Sequence, residues 1–303
     1  MMMGTPVSEV EIDSELVRAL LRSQHRDLAH LPISYASAGW DNVLFRLGAD
    51  LAIRLPRRQL GADLIKKEQI WLPVLSDQLM LPAPIPLRVG EPGAGYPWCW
   101  SVVPWLPGNT ADTGSLREGE SVRFAQFLRG LHMPAPPNAP ANSFRGVPLL
   151  QRAEGMTRWM ASLSQKSDAL TPKLQALWQR ALRIPATTER RWLHGDLHPR
   201  NILSWQGRIS GVIDWGDLTA GDVATDLAAI WMLFDSAGAR GEATRAYGMS
   251  EALVVRSQGW AIIFAVILLD TGLVDNPVHA AIGRKTLSRL ADDFGQNHRP
   301  KSS

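Results

Sequence analysis

The stretch His194-Gly-Asp196-Leu-His-Pro-Arg-Asn201, followed by Val212-Ile-Asp214-Trp-Gly-Asp217, decides how this chain is read. Asn201 stands five residues after Asp196, and Asp214 thirteen beyond Asn201. Between them, Ile202-Leu-Ser-Trp-Gln-Gly-Arg-Ile-Ser-Gly-Val-Ile213 reads as strand, turn at Gln206-Gly207, strand. A hairpin of that length brings its ends together, so Asn201 and Asp214 are expected to share one ion. Their side chains are the hard oxygen donors that magnesium takes. Asp196 follows the short apolar stretch Trp192-Leu193 in a loop, where its carboxylate can orient a hydroxyl and accept its proton. His194 is read as holding the backbone of that loop by hydrogen bonds.

These parts are what phosphoryl transfer asks of a protein: positioned phosphates, a divalent ion to offset charge, and an oriented acceptor hydroxyl. A metal-hydrolase reading of His194-Gly-Asp196-Leu-His198 needs further histidine ligands. The remaining histidines, His25, His30, His132, His279 and His298, form no second motif. Gly90-Glu-Pro-Gly-Ala-Gly-Tyr-Pro97 has the glycines of a phosphate loop, but strand-like residues flank it and no helix follows, so it reads as a hairpin turn.

Composition narrows the classes. A length of 303 residues allows two domains, and 45% hydrophobic with 20% charged residues is ordinary for a folded soluble protein. A net charge of +3 calls for no nucleic-acid partner. The single cysteine, Cys99, rules out an intrachain disulfide and reads as a buried, inert thiol. Met1-Met-Met-Gly-Thr-Pro-Val-Ser-Glu is too polar and acidic for a signal peptide. The longest apolar run, Trp260 to Leu269, is ended by Asp270 and falls short of the roughly 18 residues of a membrane span. No membrane partner and a cytoplasmic location are therefore expected.

Along the chain, Asp13 caps a helix with Leu16, Val17, Leu20 and Leu21 inward. Strand-like Asn42–Leu47 and Leu51–Leu55 flank the turn Gly48-Ala-Asp50. A helix over 62–75 follows, then a strand pair ending with Trp98–Val103. Pro104-Trp-Leu-Pro-Gly108 breaks the pattern. Helical periodicity dominates beyond it, over 116–132, 149–163, 172–184, 224–234, 242–247, 251–269 and 277–294. The segment 134–148 is rich in proline and reads as a loop, and the tail 296–303 as frayed.

The His-Gly-Asp-x-x-x-x-Asn and Ile-Asp-Trp-Gly-Asp motifs resemble those of the aminoglycoside phosphotransferase/choline kinase family. Gly221-Asp222-x-x-x-Asp226-Leu-Ala and the upstream Gly39-Trp-Asp-Asn42 fit as well, and the resemblance covers about residues 35 to 235. It implies an α+β, bilobal, protein-kinase-like fold. A small antiparallel-sheet lobe over 1–103 would bind nucleotide, a hinge would lie at 104–108, and a larger, mostly helical lobe over 109–303 would carry catalysis and the acceptor.

The resemblance also implies roles. Arg54 stands where the family usually has a phosphate-binding lysine, a departure that keeps the charge but not the geometry. Glu68 would pair with Arg54 and aim it. The turn Ser37-Ala-Gly39 would lie over the phosphates. The Pro104 carbonyl and Leu106 N–H would contact adenine. Asp222 and Asp226 would brace the catalytic loop or cap the helix starting at Ala224. Asp217 and Asp270 are candidates for holding an acceptor's amines. The implied cofactors are ATP, with GTP also admitted, and Mg2+. The acceptor is a small-molecule hydroxyl, first of an aminoglycoside or related antibiotic, then of a macrolide, a choline-like amino alcohol or a sugar. A nucleotide-binding protein with little catalysis is the contrasting reading, and the Arg54 departure is its one support. Oligomeric state is not legible.

Overall fold

The computed structural model describes residues 7–296; the expectations for the first six residues and for 297–303 lie outside that range. The chain divides into two compact units, one of residues 7–107 with 211–218, the other of 108–210 with 219–296.

The first unit opens with α1 (Ser14–Gln24). Asp13 accepts the Leu16 N–H at 2.8 Å, and Val17, Leu20 and Leu21 are buried on one face. Strands β1 (Ile33–Ala38), β2 (Asn42–Leu47) and β3 (Leu51–Pro56) follow, then helix α2 (Gln59–Leu75) and strands β4 (Arg88–Gly90) and β5 (Trp100–Pro104). They make a five-stranded sheet of order β1-β2-β3-β5-β4, antiparallel at each pairing. Leu20, Leu21, Phe45, Ile53 and Leu55 join Trp100 in one core under it, each fully buried. At roughly 1.5–3 kcal/mol per large apolar side chain, this packing fixes the sheet that carries Arg54.

Two readings shift here. Helix α2 starts at Gln59 rather than 62, and Pro73 lies within its last turn without ending it early. Cys99 is half-buried instead of buried. It precedes β5, between Trp98 and Trp100, which are both buried. Burial and then Glu91 hold its thiol above the usual range.

The second unit comprises β6 (Asn109–Thr110), α3 (Glu120–Leu131), α4 (Leu149–Ser164), α5 (Pro172–Leu182), β7 (Arg191–Leu193), β8 (Ile202–Trp205), β9 (Arg208–Val212, whose last two residues belong to the first unit) and β10 (Thr219–Gly221). Helices α6 (Ala224–Leu227), α7 (Ala229–Leu233), α8 (Ala237–Tyr247), α9 (Glu251–Asp275) and α10 (Pro277–Gln296) complete it. Strands order as β6-β8-β9 in one small sheet, and β7 pairs with β10 in another. The expected hairpin is formed by β8 and β9. Gln206 and Gly207 have φ of 49° and 76°, the two left-handed residues of a primed two-residue turn. Glu120, buried at the start of α3, accepts the Ile209 N–H at 2.9 Å and so ties this hairpin to the helices.

Helix α9 is the axis of the unit, packed on α10, α4, α5 and α6. It does not stop at Asp270 as the apolar run suggested. The carboxylate is met there by Lys166 and Ser162, both at 2.9 Å, and the helix runs on to Asp275. By length and composition α9 could cross a membrane, but 67% of its most apolar window is buried inside the protein, as in a core helix.

Candidate active site

In the first unit, Arg54 on β3 and Glu68 on α2 meet with Nη1 and Oε2 2.5 Å apart, both side chains buried. Burial works to lower the Arg54 pKa, but the fields of Glu68 and Asp214 outweigh it and leave it raised. For Glu68 burial wins, and its pKa stays raised despite Arg54. The second guanidinium nitrogen of Arg54 lies 3.6 Å from the Asp214 carboxylate. That carboxylate is 57% exposed. Asp214 has φ of 63°, a left-handed conformation that aspartate tolerates better than most residues and that recurs at functional sites. The 211–218 segment is anchored to the same unit. Val212 donates to the Pro82 carbonyl at 2.8 Å, and Lys67 Nζ to the Gly216 carbonyl at 2.8 Å. Arg54, Glu68 and Asp214 thus form one cluster, although Asp214 lies far away in sequence.

The expected Ser37–Gly39 turn is shifted: Ser37 and Ala38 end β1, paired with Leu44 and Val43, and residues 39–41 close the β1–β2 hairpin. Ser37 is exposed, and the Gly39 N–H is spent within the turn on the Asn42 carbonyl at 2.9 Å. Arg58 grips the Asp41 carboxylate through two nitrogens at 2.9 and 2.6 Å, pinning the tip to the start of α2. At the end of β5, Trp105 donates to the Asp50 carbonyl, which puts Pro104 opposite Leu51 in a non-hydrogen-bonded pair. Its missing N–H therefore costs no ladder bond, and its carbonyl points away from β3, on the side where the Val102 carbonyl takes the Leu87 N–H. Leu106, two residues on, packs against Gly211. Asp217 is half-buried within the field of Lys67.

In the second unit, β7 delivers the chain directly into the 194–201 loop. His194, fully buried, accepts the Asp196 N–H on Nδ1 at 3.2 Å. Asn201 donates its Nδ2 to the Asp196 carbonyl at 2.9 Å, which leaves its Oδ1 for a ligand. His198 caps the turn at 199–201 by accepting the Arg200 N–H at 3.2 Å. Beneath the loop, Asp226 is fully buried and accepts the N–H groups of His194 at 2.7 Å and Gly195 at 2.9 Å. His132 Nε2 lies 3.3 Å from the same carboxylate, and its Nδ1 lies 2.9 Å from the Tyr247 hydroxyl. Burial raises the pKa of that phenol, which keeps it a donor. Asp222 takes Arg256 Nε at 2.9 Å and also accepts the Ala224 N–H at 3.1 Å.

Arg145 is the residue that sequence reasoning missed. From the proline-rich loop, its Nη2 contacts Asp196 Oδ1 at 2.9 Å. Burial works to raise the Asp196 pKa, but Arg145, then His198 and His194, overcome it and hold the carboxylate well below its ordinary range. Asp270, expected as an open acid for an acceptor amine, is instead buried in the α4–α9 contact with its charge met by Lys166.

The chain matches the phosphotransferase enzyme family (APH) over residues 32–261. It belongs to that family. Aminoglycoside 3'-phosphotransferases of Salmonella typhimurium and Escherichia coli are 29% identical to this phosphotransferase-family chain over 140 residues, 44% of it and 51% of each relative. The chain thus spans about half the length of the curated relatives it matches. Among solved structures, the GDP complex of wild-type aminoglycoside 2'-phosphotransferase-IIIa superposes with a TM-score of 0.65 at 17% identity, over 94% of this chain and 100% of that one. Macrolide 2'-phosphotransferase MphH from Brachybacterium faecium gives 0.58 at 18% identity, over 91% and 98%. At these identities the likeness establishes the α+β fold of an antiparallel sheet followed by a helical part.

Proposed function

We propose that this chain is an ATP-dependent O-phosphotransferase that moves the γ-phosphoryl group to a hydroxyl of a small molecule. The observation that carries it is the 194–201 loop. Asp196 is kept ionised there, and Asn201 is turned so that an amide oxygen is left for a ligand. Asp196 would orient the acceptor hydroxyl and take its proton late in the transfer. Asn201 and Asp214 would hold magnesium, whose chemistry when bound is to offset phosphate charge. Among the described residues no three His, Cys, Asp or Glu converge as a protein-only cage, and magnesium sites of this kind draw their other ligands from phosphates and water. Arg54, aimed by Glu68, would bind phosphate. The Ser37–Gly39 stretch would lie over the phosphates, with the Gly39 N–H already used on the Asn42 carbonyl. The Pro104 carbonyl and Leu106 N–H would receive the adenine or guanine edge. His194, Asp222 and Asp226 would support the loop. The division of labour follows the lobes read from sequence, 1–103 for nucleotide and 109–303 for catalysis and acceptor, with the 211–218 segment added to the nucleotide side.

The relatives are named for aminoglycosides and macrolides, so such antibiotics are the first acceptors to assay. Steady-state nucleotide turnover against a panel of aminoglycosides, macrolides, amino alcohols and sugars tests the proposal; stimulation by none of them refutes the antibiotic class. Asp217 stays a candidate amine contact. The Lys166 partner of Asp270 favours the second reading, an acceptor other than a polyamine.

Arg54→Lys should keep the charge and lose the fork, raising the nucleotide KM a few-fold, while Arg54→Met should cost about tenfold or more in kcat/KM. Unchanged nucleotide kinetics in Arg54→Met would remove its phosphate role. In Arg145→Gln the chief influence lowering the Asp196 pKa is gone while burial still raises it. The acid limb of the kcat/KM profile should therefore move to higher pH, and a limb that stays in place would separate Arg145 from the ionisation of the base.

A further inference from the structure

We infer that Arg145 and Arg152 form an anion subsite beside Asp196, and that the acceptor presents a carboxylate, sulfate or phosphate group to it. The inference rests on the phosphotransferase reading and names the acceptor chemistry within it.

Arg145 is held in a fixed place. The Asn142 side chain accepts the N–H groups of Phe144 at 2.8 Å and Arg145 at 3.2 Å. Gly146 donates to Thr225 Oγ1 at 3.1 Å, and its carbonyl accepts the Asp222 N–H at 2.9 Å. Gly146 has φ of 69° and lies backbone to backbone on Gly221, where an added Cβ on Gly221 would come within 2.3 Å of the Gly146 carbonyl. A side chain set on so constrained a loop is part of a built site.

Both guanidinium groups lie over aromatic faces, Arg145 on Phe264 at 4.9 Å and Arg152, from the first turn of α4, on Phe144 at 5.0 Å. On each, the buried Nε has no hydrogen-bond partner among the described residues. Arg145 spends Nη2 on Asp196, whereas among the described residues no carboxylate lies within ion-pair distance of Arg152. The two cations feel each other: after burial, Arg145 is the cause that weakens the hold of Arg152 on its proton. Of these two partly buried like charges only Arg145 meets a carboxylate, and each keeps one donor unsatisfied. Such an arrangement is costly without an external anion and suited to planar, bidentate capture of one. An ammonium beside the reacting hydroxyl would meet repulsion instead.

The test is calorimetric titration of sulfate into the full chain at ionic strength held constant with chloride. Sulfate should bind the wild type and bind Arg152→Gln at least about tenfold more weakly. Arg152→Lys, which keeps the charge and the fold but not the planar fork, should fall between them. Equal binding to all three chains would mean an adventitious ion only and would overturn the subsite, as would no binding at all. With sulfate bound, gluconate should displace it and glucamine should not; displacement by glucamine, or by ATP alone, would assign the site to other chemistry. Asp196→Ala separates the two readings: it should lose turnover but retain sulfate, so a failed kinase and a failed anion subsite give different results.

Discussion

Asp196→Ala is expected to lower kcat by about a hundred- to ten-thousandfold, the range of a positioned general base, with nucleotide KM nearly unchanged. The substitution removes the only carboxylate of the 194–201 loop. It leaves the His194 and Asn201 contacts to the backbone at this position in place, because those use the Asp196 N–H and carbonyl. The loop geometry should therefore survive, and a melting curve close to wild type would show that it has. Asp196→Asn is the sharper variant. It keeps the shape and can still accept from Asn201 or Arg145, but it cannot take a proton. If the two variants are equally impaired, proton acceptance is what the residue supplies. If Asn recovers most of the rate, the role is orientation of the hydroxyl, in keeping with a loose transfer in which deprotonation comes late. Full activity in Asp196→Ala would refute both.

The parts of this site that sequence revealed are those whose geometry is local. The β8–β9 hairpin follows from Gln206-Gly207, because two residues at positive φ dictate a primed turn wherever they occur between strands. The α1 cap follows from Asp13 for the same reason. The Arg54–Glu68 contact was available only through family resemblance, since nothing in a strand and a following helix says which charges meet. Arg145 was invisible. Its loop has no periodicity, and its position depends on Gly146 fitting against Gly221, a contact that no local pattern encodes. Asp270 misled for a related reason. An acid at the end of an apolar run looks like a helix end or a pocket wall, and only Lys166, 104 residues earlier in the turn after α4, turns it into a buried pair. Charge that is neutralised by a distant partner cannot be told from free charge in one dimension, and that limit falls on the acceptor side of the site.

Asp226→Ala is expected to cost about 3–5 kcal/mol of stability and to reduce turnover along with it. The carboxylate is fully buried and serves three donors: the N–H groups of His194 and Gly195 and the His132 ring. Removing it strands two backbone N–H groups with no access to water, at about 1–3 kcal/mol each, and leaves a cavity beside them. For a protein of this size that loss lowers Tm by roughly 10 °C in a thermal melt. The stranded groups belong to the loop that carries Asp196, so the folded fraction should also be slow. Asp226→Asn separates the contributions. Its amide oxygen can satisfy one N–H, but its NH2 group then faces the other donor, so the variant should lie between Ala and wild type in stability. The Tyr247 hydroxyl provides the control. It donates to His132 Nδ1 from the far side, so Tyr247→Phe should cost about 1 kcal/mol, through the ring it orients, and leave most of the turnover intact. A Tyr247→Phe loss as large as that of Asp226→Ala would mean that the His132 ring, and not the pair of backbone N–H groups, is what holds the loop.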